Sequence, residues 1–181
     1  MSAFYGILKY NLRPHYYLTV MSRLDVNEMK EYKPVLGLPF MQFLAPEKRG
    51  KEETFYAYLV KAVGEPANVT GKDMEGAPKE EKHQVFEILE LKPEGAAIPR
   101  MPKKTEEFIE VGKKYRANLT QHASLWNGFE KLLPLDGKEF AVMNKGKGKT
   151  KQGKPFWMYV VMPASGEMTL GQLIDLNAFW K

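Results

Sequence analysis

Two runs decide how this chain folds: Gly137-Lys-Glu-Phe-Ala-Val-Met-Asn-Lys-Gly146 and, after a short polar gap, Lys154-Pro-Phe-Trp-Met-Tyr-Val-Val161. Aromatic and branched side chains crowd both, and such residues fit the pleated backbone of a strand. In the second run Phe156, Met158 and Val160 alternate with Trp157, Tyr159 and Val161, so large apolar groups lie on both of its faces. One face must close a core. The lysines and glycines between the runs then form a hairpin.

The same texture repeats outward from that hairpin. Aromatic and β-branched runs at 4–10, 16–21, 35–44, 54–63, 84–92, 108–119, 138–144 and 155–162 are separated by Gly, Pro, Asn and Lys clusters. Eight candidate strands at this spacing predict a mainly β protein, β-rich with few helices, closed as a barrel or sandwich. Helical periodicity predicts a helix over 122–133, where Ser124 can cap a turn that gathers Leu125, Phe129, Leu132 and Leu133 on one face. A second is predicted over 169–180 with Thr169 as its cap, and a short third over 25–32. Residues 64–83 are polar, rich in Gly and Pro and without period, and read as a long loop; residues 92–105, with three prolines, break the pattern again.

With 181 residues, 44% apolar and 27% charged, the chain can bury one full core and is not a disordered chain. The absence of cysteine excludes thiol nucleophiles, disulfides and cysteine-ligated metal centres, and fits a reducing compartment or a hot one. No run of about 18 apolar residues exists, and residues 1–9 lack the basic start and long apolar segment of a signal peptide. An intracellular, cytoplasmic protein with no membrane partner is therefore expected. The Asn-x-Thr triplets at Asn68 and Asn118 are then chance matches. Charge is uneven: residues 1–91 hold 12 Lys and Arg against 13 Asp and Glu, whereas residues 92–181 hold 15 against 9. Such asymmetry is what a segment contacting a polyanion shows.

From residue 54 onward the order is strand, long loop, strand, loop, long strand, short helix, strand, hairpin, strand. Together with Val111-Gly-Lys-Lys-Tyr-Arg-Ala-Asn-Leu119 and the helix at 125–133, the two opening runs give residues 54–163 a pattern that resembles OB-fold single-stranded nucleic-acid-binding proteins. The resemblance implies an OB-like five-stranded Greek-key barrel that grips oligonucleotides with a strand face and with the hairpin loop between its last two strands. Residues 1–53 become an N-terminal β extension or subdomain, either extra strands or a surface for homo-oligomer formation. Residues 164–181 become a C-terminal helix or tail.

The chemistry sits mostly in the hairpin. Lys145, Lys147, Lys149, Lys151 and Lys154 are interleaved with glycine and polar residues without an acid, and a flexible loop of lysines can follow an irregular phosphate backbone. Lys114 and Arg116 alternate with Tyr115 and Ala117, which puts a basic stripe on one strand face. Trp157 and Tyr159 either stack bases or pack beneath the first 53 residues. The alternative in each case is ordinary solvated charge or core packing.

Other chemistries find no residues. Gly148-Lys149-Thr150 ends like a P-loop, but Met143 stands where its first glycine belongs and a strand follows where a helix N-terminus is required. His15, His83 and His122 fall on separate elements without ligand spacing. Glu52-Glu53, Glu80-Glu81 and Glu106-Glu107 read as solvated flanks. No metal, cofactor or catalytic residue is expected. At the end of the chain Leu176, Phe179 and Trp180 resemble the short peptides with which replication proteins dock on sliding clamps, although Leu173 stands where that motif opens with glutamine. The other reading packs this segment on the barrel. The expected function is binding of single-stranded DNA or RNA, DNA foremost, with low sequence specificity, in replication, recombination or repair of a cell, phage or virus. A protein–protein interaction module, such as an inhibitor of a host nucleic-acid enzyme, is the alternative.

Overall fold

The computed structural model describes residues 37–103, 106–164 and 168–175. The expected strands at 4–10 and 16–21 and the helix at 25–32 lie outside the described residues. A small exposed hairpin comes first, β1 (Glu47–Arg49) and β2 (Glu52–Thr54). The main sheet contains β3 (Ala57–Lys72), β4 (Pro78–Lys92), β5 (Lys114–Asn118), β6 (Glu139–Lys149) and β7 (Pro155–Ala164). Between β5 and β6 run a 3-10 turn (Leu119–Gln121) and helix α1 (Ala123–Glu130), and α2 (Leu170–Asp175) follows β7.

All five strands pair antiparallel in the order β5-β4-β3-β6-β7. The fold is therefore β-rich with few helices, as the sequence pattern requires. Among the described residues no ladder joins β5 to β7, so the expected barrel closure is not part of this hydrogen-bonding scheme.

The sheet is buried on both faces at its centre, which explains the unbroken apolar runs in β3 and β6. On one face Tyr58, Val60, Phe86, Ile88, Phe140 and Val142 pack with Leu125 and Phe129 of α1 and with Met41 and Phe43 from the segment before β1. On the other, Ala57, Leu59, Ala141 and Met143 pack beneath Leu170 and Leu173 of α2. The second face of β7 packs against this same cluster through Val160 and Met162. Thr169 caps α2 as expected: its Oγ1 accepts from Gln172 N (3.1 Å) while Gln172 Oε1 accepts from Thr169 N (2.9 Å).

Three local expectations are corrected. Residues 64–83 are not a loop but the outer halves of β3 and β4, a two-stranded ribbon whose turn is closed by Asp73 accepting from Glu75 N and Ala77 N. A register shift between Val63 and Ala67 carries Glu65 outward, where its carboxylate accepts from Leu135 N (2.9 Å) and Asp136 N (2.7 Å) and ties the ribbon to the turn before β6. The run at 35–44 supplies no ladder strand. Its described part forms a single bridge, with Arg116 N donating to Pro39 O (3.0 Å) and Met41 N donating to Arg116 O (2.9 Å), and so covers the outer edge of β5. Of the strand expected at 108–119, only Lys114–Asn118 is strand, because the chain turns at Gly112 with φ 90.

Candidate nucleic-acid interface

The lysine- and glycine-rich segment is more ordered than a flexible loop. β6 continues through Lys149 and pairs Gly146 with Met158, Lys147 with Trp157, Gly148 with Phe156 and Lys149 with Pro155. Only residues 150–154 turn, closed by Thr150 N donating to Lys154 O (2.9 Å) and Gly153 N donating to Thr150 O (2.9 Å). A bulge sets the register: Asn144 Oδ1 accepts from Gly146 N (2.7 Å), and Gly146 holds φ 102, where a side chain would strain the backbone. Gly148 is needed for space, since a Cβ there would lie 2.8 Å from Met158 Sδ and 3.1 Å from Phe156 Cζ. The glycines let Phe156 and Met158 lie across the ribbon.

The result is a two-faced hairpin. Directly paired residues share a face, so Lys147, Lys149 and Trp157 point one way while Phe156 and Met158 point the other. Lys147 Nζ stands 5.1 Å from the Trp157 ring centroid, a cation on an aromatic face. Lys147, Lys149, Lys151 and Lys154 are exposed, and none pairs with a carboxylate among the described residues. Lys145 is half-buried at the bulge. A half-buried indole with one ammonium on its ring and further exposed lysines along the hairpin can stack a base and hold its phosphates.

Helix α1 fixes the root of this hairpin. Ser124 does not cap the helix; its Oγ donates to Trp157 O (2.5 Å) and accepts from Tyr159 N (3.1 Å), standing in for the missing neighbour of end strand β7. Gly128, one turn on, lies so close to β7 that a Cβ would be 2.8 Å from Val161 Cγ2. Tyr159 is a wall of the core: its ring stacks on His122 at 5.5 Å, its hydroxyl donates to Phe43 O (3.4 Å), and burial pushes that hydroxyl up to about 12.

Lys114 and Arg116 lie on β5, at the other end of the strand order. Arg116 is committed to structure: its Nη1 donates to His83 Nδ1 (2.8 Å), its Nε donates to Leu38 O (3.3 Å), and its guanidinium lies 5.2 Å over the Phe40 ring. Because a guanidinium only donates, His83 Nδ1 must carry the lone pair and Nε2–H donates to Glu81 (3.0 Å). Burial holds His83 below its ordinary value and hence neutral. Exposed Lys114 lines an open groove of about 610 Å³ together with Glu106, Glu107, Glu110, Arg100 and Lys113. Arg100 pairs there with Glu107 and Lys113 with Glu110, so this groove is of mixed charge and not a cationic track. Leu176, Phe179 and Trp180 lie outside the described residues.

Sequence reading missed a second lysine on a second tryptophan: Lys82 Nζ lies 5.7 Å from the Trp126 ring and donates to Asn68 Oδ1 (2.7 Å). The two residues sit on β4 and α1, 44 positions apart, and no local spacing announces them. Among the described residues no His, Asp or Glu cluster is arranged to hold a metal ion, and no helix is long and apolar enough to cross a membrane. Compared with known proteins, the chain matches no family model, no curated protein and no solved structure.

Proposed function

We propose that this chain binds single-stranded nucleic acid, DNA foremost, and that the β6–β7 hairpin is its principal contact. The observation that carries the proposal is the one-sided hairpin itself, with Lys147 on Trp157 and further unpaired lysines along the same ribbon. Phosphates would meet the lysines and bases the indole, a combination that tolerates any sequence because every base has a π-face. The strand order β5-β4-β3-β6-β7, with a helix between β5 and β6, supports an OB-like Greek-key barrel in which this hairpin is the last loop. Such a protein would serve replication, recombination or repair, with Leu176, Phe179 and Trp180 either packing on its own barrel or contacting a clamp.

Replacing Lys147, Lys149 and Lys151 by Ala tests this. Affinity for a fluorescent oligothymidine should fall at least about tenfold at low salt, while stability changes by less than about 0.5 kcal/mol, as for exposed surface substitutions. Unchanged affinity removes the hairpin from binding. The exposed Phe156 on the reverse face favours a second reading, a protein partner seated there, for which no oligonucleotide binding is expected at any salt.

A further inference from the structure

The Lys82–Trp126 pair sits in an open groove of about 570 Å³ between α1 and the β3–β4 ribbon, lined also by Pro66, Leu133, Pro134 and two carboxylates, Glu130 and Glu65, the latter already accepting from Leu135 N and Asp136 N. A volume of this order suits a single nucleotide. Trp126 is half-buried, with one part anchored on the core and the remainder facing the groove. Lys82 stands over the ring just as Lys147 stands over Trp157, and its backbone N–H is held by Thr120 Oγ1 (3.1 Å). The two aromatic–cation pairs flank one helix, since Ser124 bonds to the Trp157 carbonyl and Trp126 follows two residues later.

We propose that this groove is a second stacking site, which takes a nucleotide of the same strand that the hairpin binds; the inference rests on the function proposed above. The base would lie on the Trp126 indole between Pro66 and Leu133, and its phosphate would take the Lys82 ammonium from the ring. Glu130, which also lines the groove, carries acceptor oxygens that suit the amino or imino hydrogens of a base and repel phosphate. That polarity orients the nucleotide, with the phosphate toward β4 and the base edge toward the last turn of α1. A strand running from Trp157 to Trp126 would cross the N-terminal half of α1.

The test compares oligothymidines of about 5 and about 15 nucleotides, which bracket the footprints known for such barrels. Trp126→Leu should weaken the long oligonucleotide about 5- to 150-fold and leave the short one, held by the hairpin, within about twofold. Lys82→Ala, which leaves the indole packed, should weaken only the long one and reduce its log-log salt slope by about 0.7. Equal affinity of both variants for the long oligonucleotide overturns the second site and leaves the hairpin reading intact. Equal loss on both lengths also overturns it, because Trp126 then acts only through the fold. Wild-type protein that binds neither length overturns the hairpin reading and this inference with it.

Discussion

Gly128→Ala is the substitution in which packing and function meet. Alanine in a helix interior is favoured over glycine by about 1 kcal/mol, so propensity alone predicts a stabilised protein. Geometry predicts the opposite. The new Cβ would lie 2.8 Å from Val161 Cγ2 and 2.9 Å from Val161 Cβ, at least 0.5 Å inside ordinary contact at 3.4 Å. No rotamer of Val161 relieves a clash with its own Cβ, so α1 must lift from β7. Overpacking of this kind costs about 1–3 kcal/mol. The lift also lengthens the two bonds of Ser124 to β7, each worth about 1 kcal/mol. The net expectation is a loss of about 1–3 kcal/mol, or roughly 2–12 °C in melting temperature for a chain of this size. Urea unfolding of Gly128→Ala, Val161→Ala and the double variant measures it, and the double variant should recover part of the loss as a favourable coupling. A stabilised Gly128→Ala would refute the close approach of α1 to β7 and the anchoring of Trp157 that depends on it.

Trp157→Ala should cost about 1–3 kcal/mol in oligonucleotide binding by fluorescence anisotropy, with a stability loss well below the roughly 3–5 kcal/mol of a fully buried tryptophan. Arg116→Ala should behave inversely. It strands His83 and frees the cover on β5, lowering stability by about 2–4 kcal/mol, while the salt slope of binding is unchanged. Stability should fall as pH drops below 6.5, the ordinary value of histidine. In that range the unfolded chain takes up a proton that His83, held below its ordinary value by burial and bonded to Arg116 and Glu81, does not. Burial shifts His122 in the same direction, so the comparison is with His83→Gln; melting temperatures of that variant should decline less between pH 6.5 and 5.

What the sequence disclosed and what it hid follow from where side chains are buried. The five strands of the main sheet were legible because residues such as Phe140, Val142 and Ile88 alternate into a core, and helix α1 because Leu125 and Phe129 fall on one stripe. The ribbon at 64–83 was illegible because most of its outer half is exposed and its apolar alternation is short, only Ala67 and Val69 being buried between exposed Asn68 and Thr70. The lysine–glycine segment misled for a related reason: glycine suggests freedom, but Gly148 makes room for Met158 and Gly146 forms a bulge. Ser124 had the right residue type for a cap, yet its hydroxyl serves the edge of β7, a role set by tertiary contact. Of the site, the hairpin lysines and Trp157 were found by composition, whereas the structural engagement of Arg116 and Tyr159 needed the packed neighbours His83, Phe40 and His122.

The central claim is that a lysine-rich hairpin holds phosphates of a single strand. Affinity for an oligothymidine measured across salt concentrations tests it most directly, because each phosphate neutralised contributes a log-log slope of about −0.7. Three to five contacting lysines predict a slope between about −2 and −3.5 for the wild type, reduced by about 2 when Lys147, Lys149 and Lys151 are replaced by Ala. A slope near zero with binding intact, or a slope that the triple replacement leaves unchanged, would contradict it.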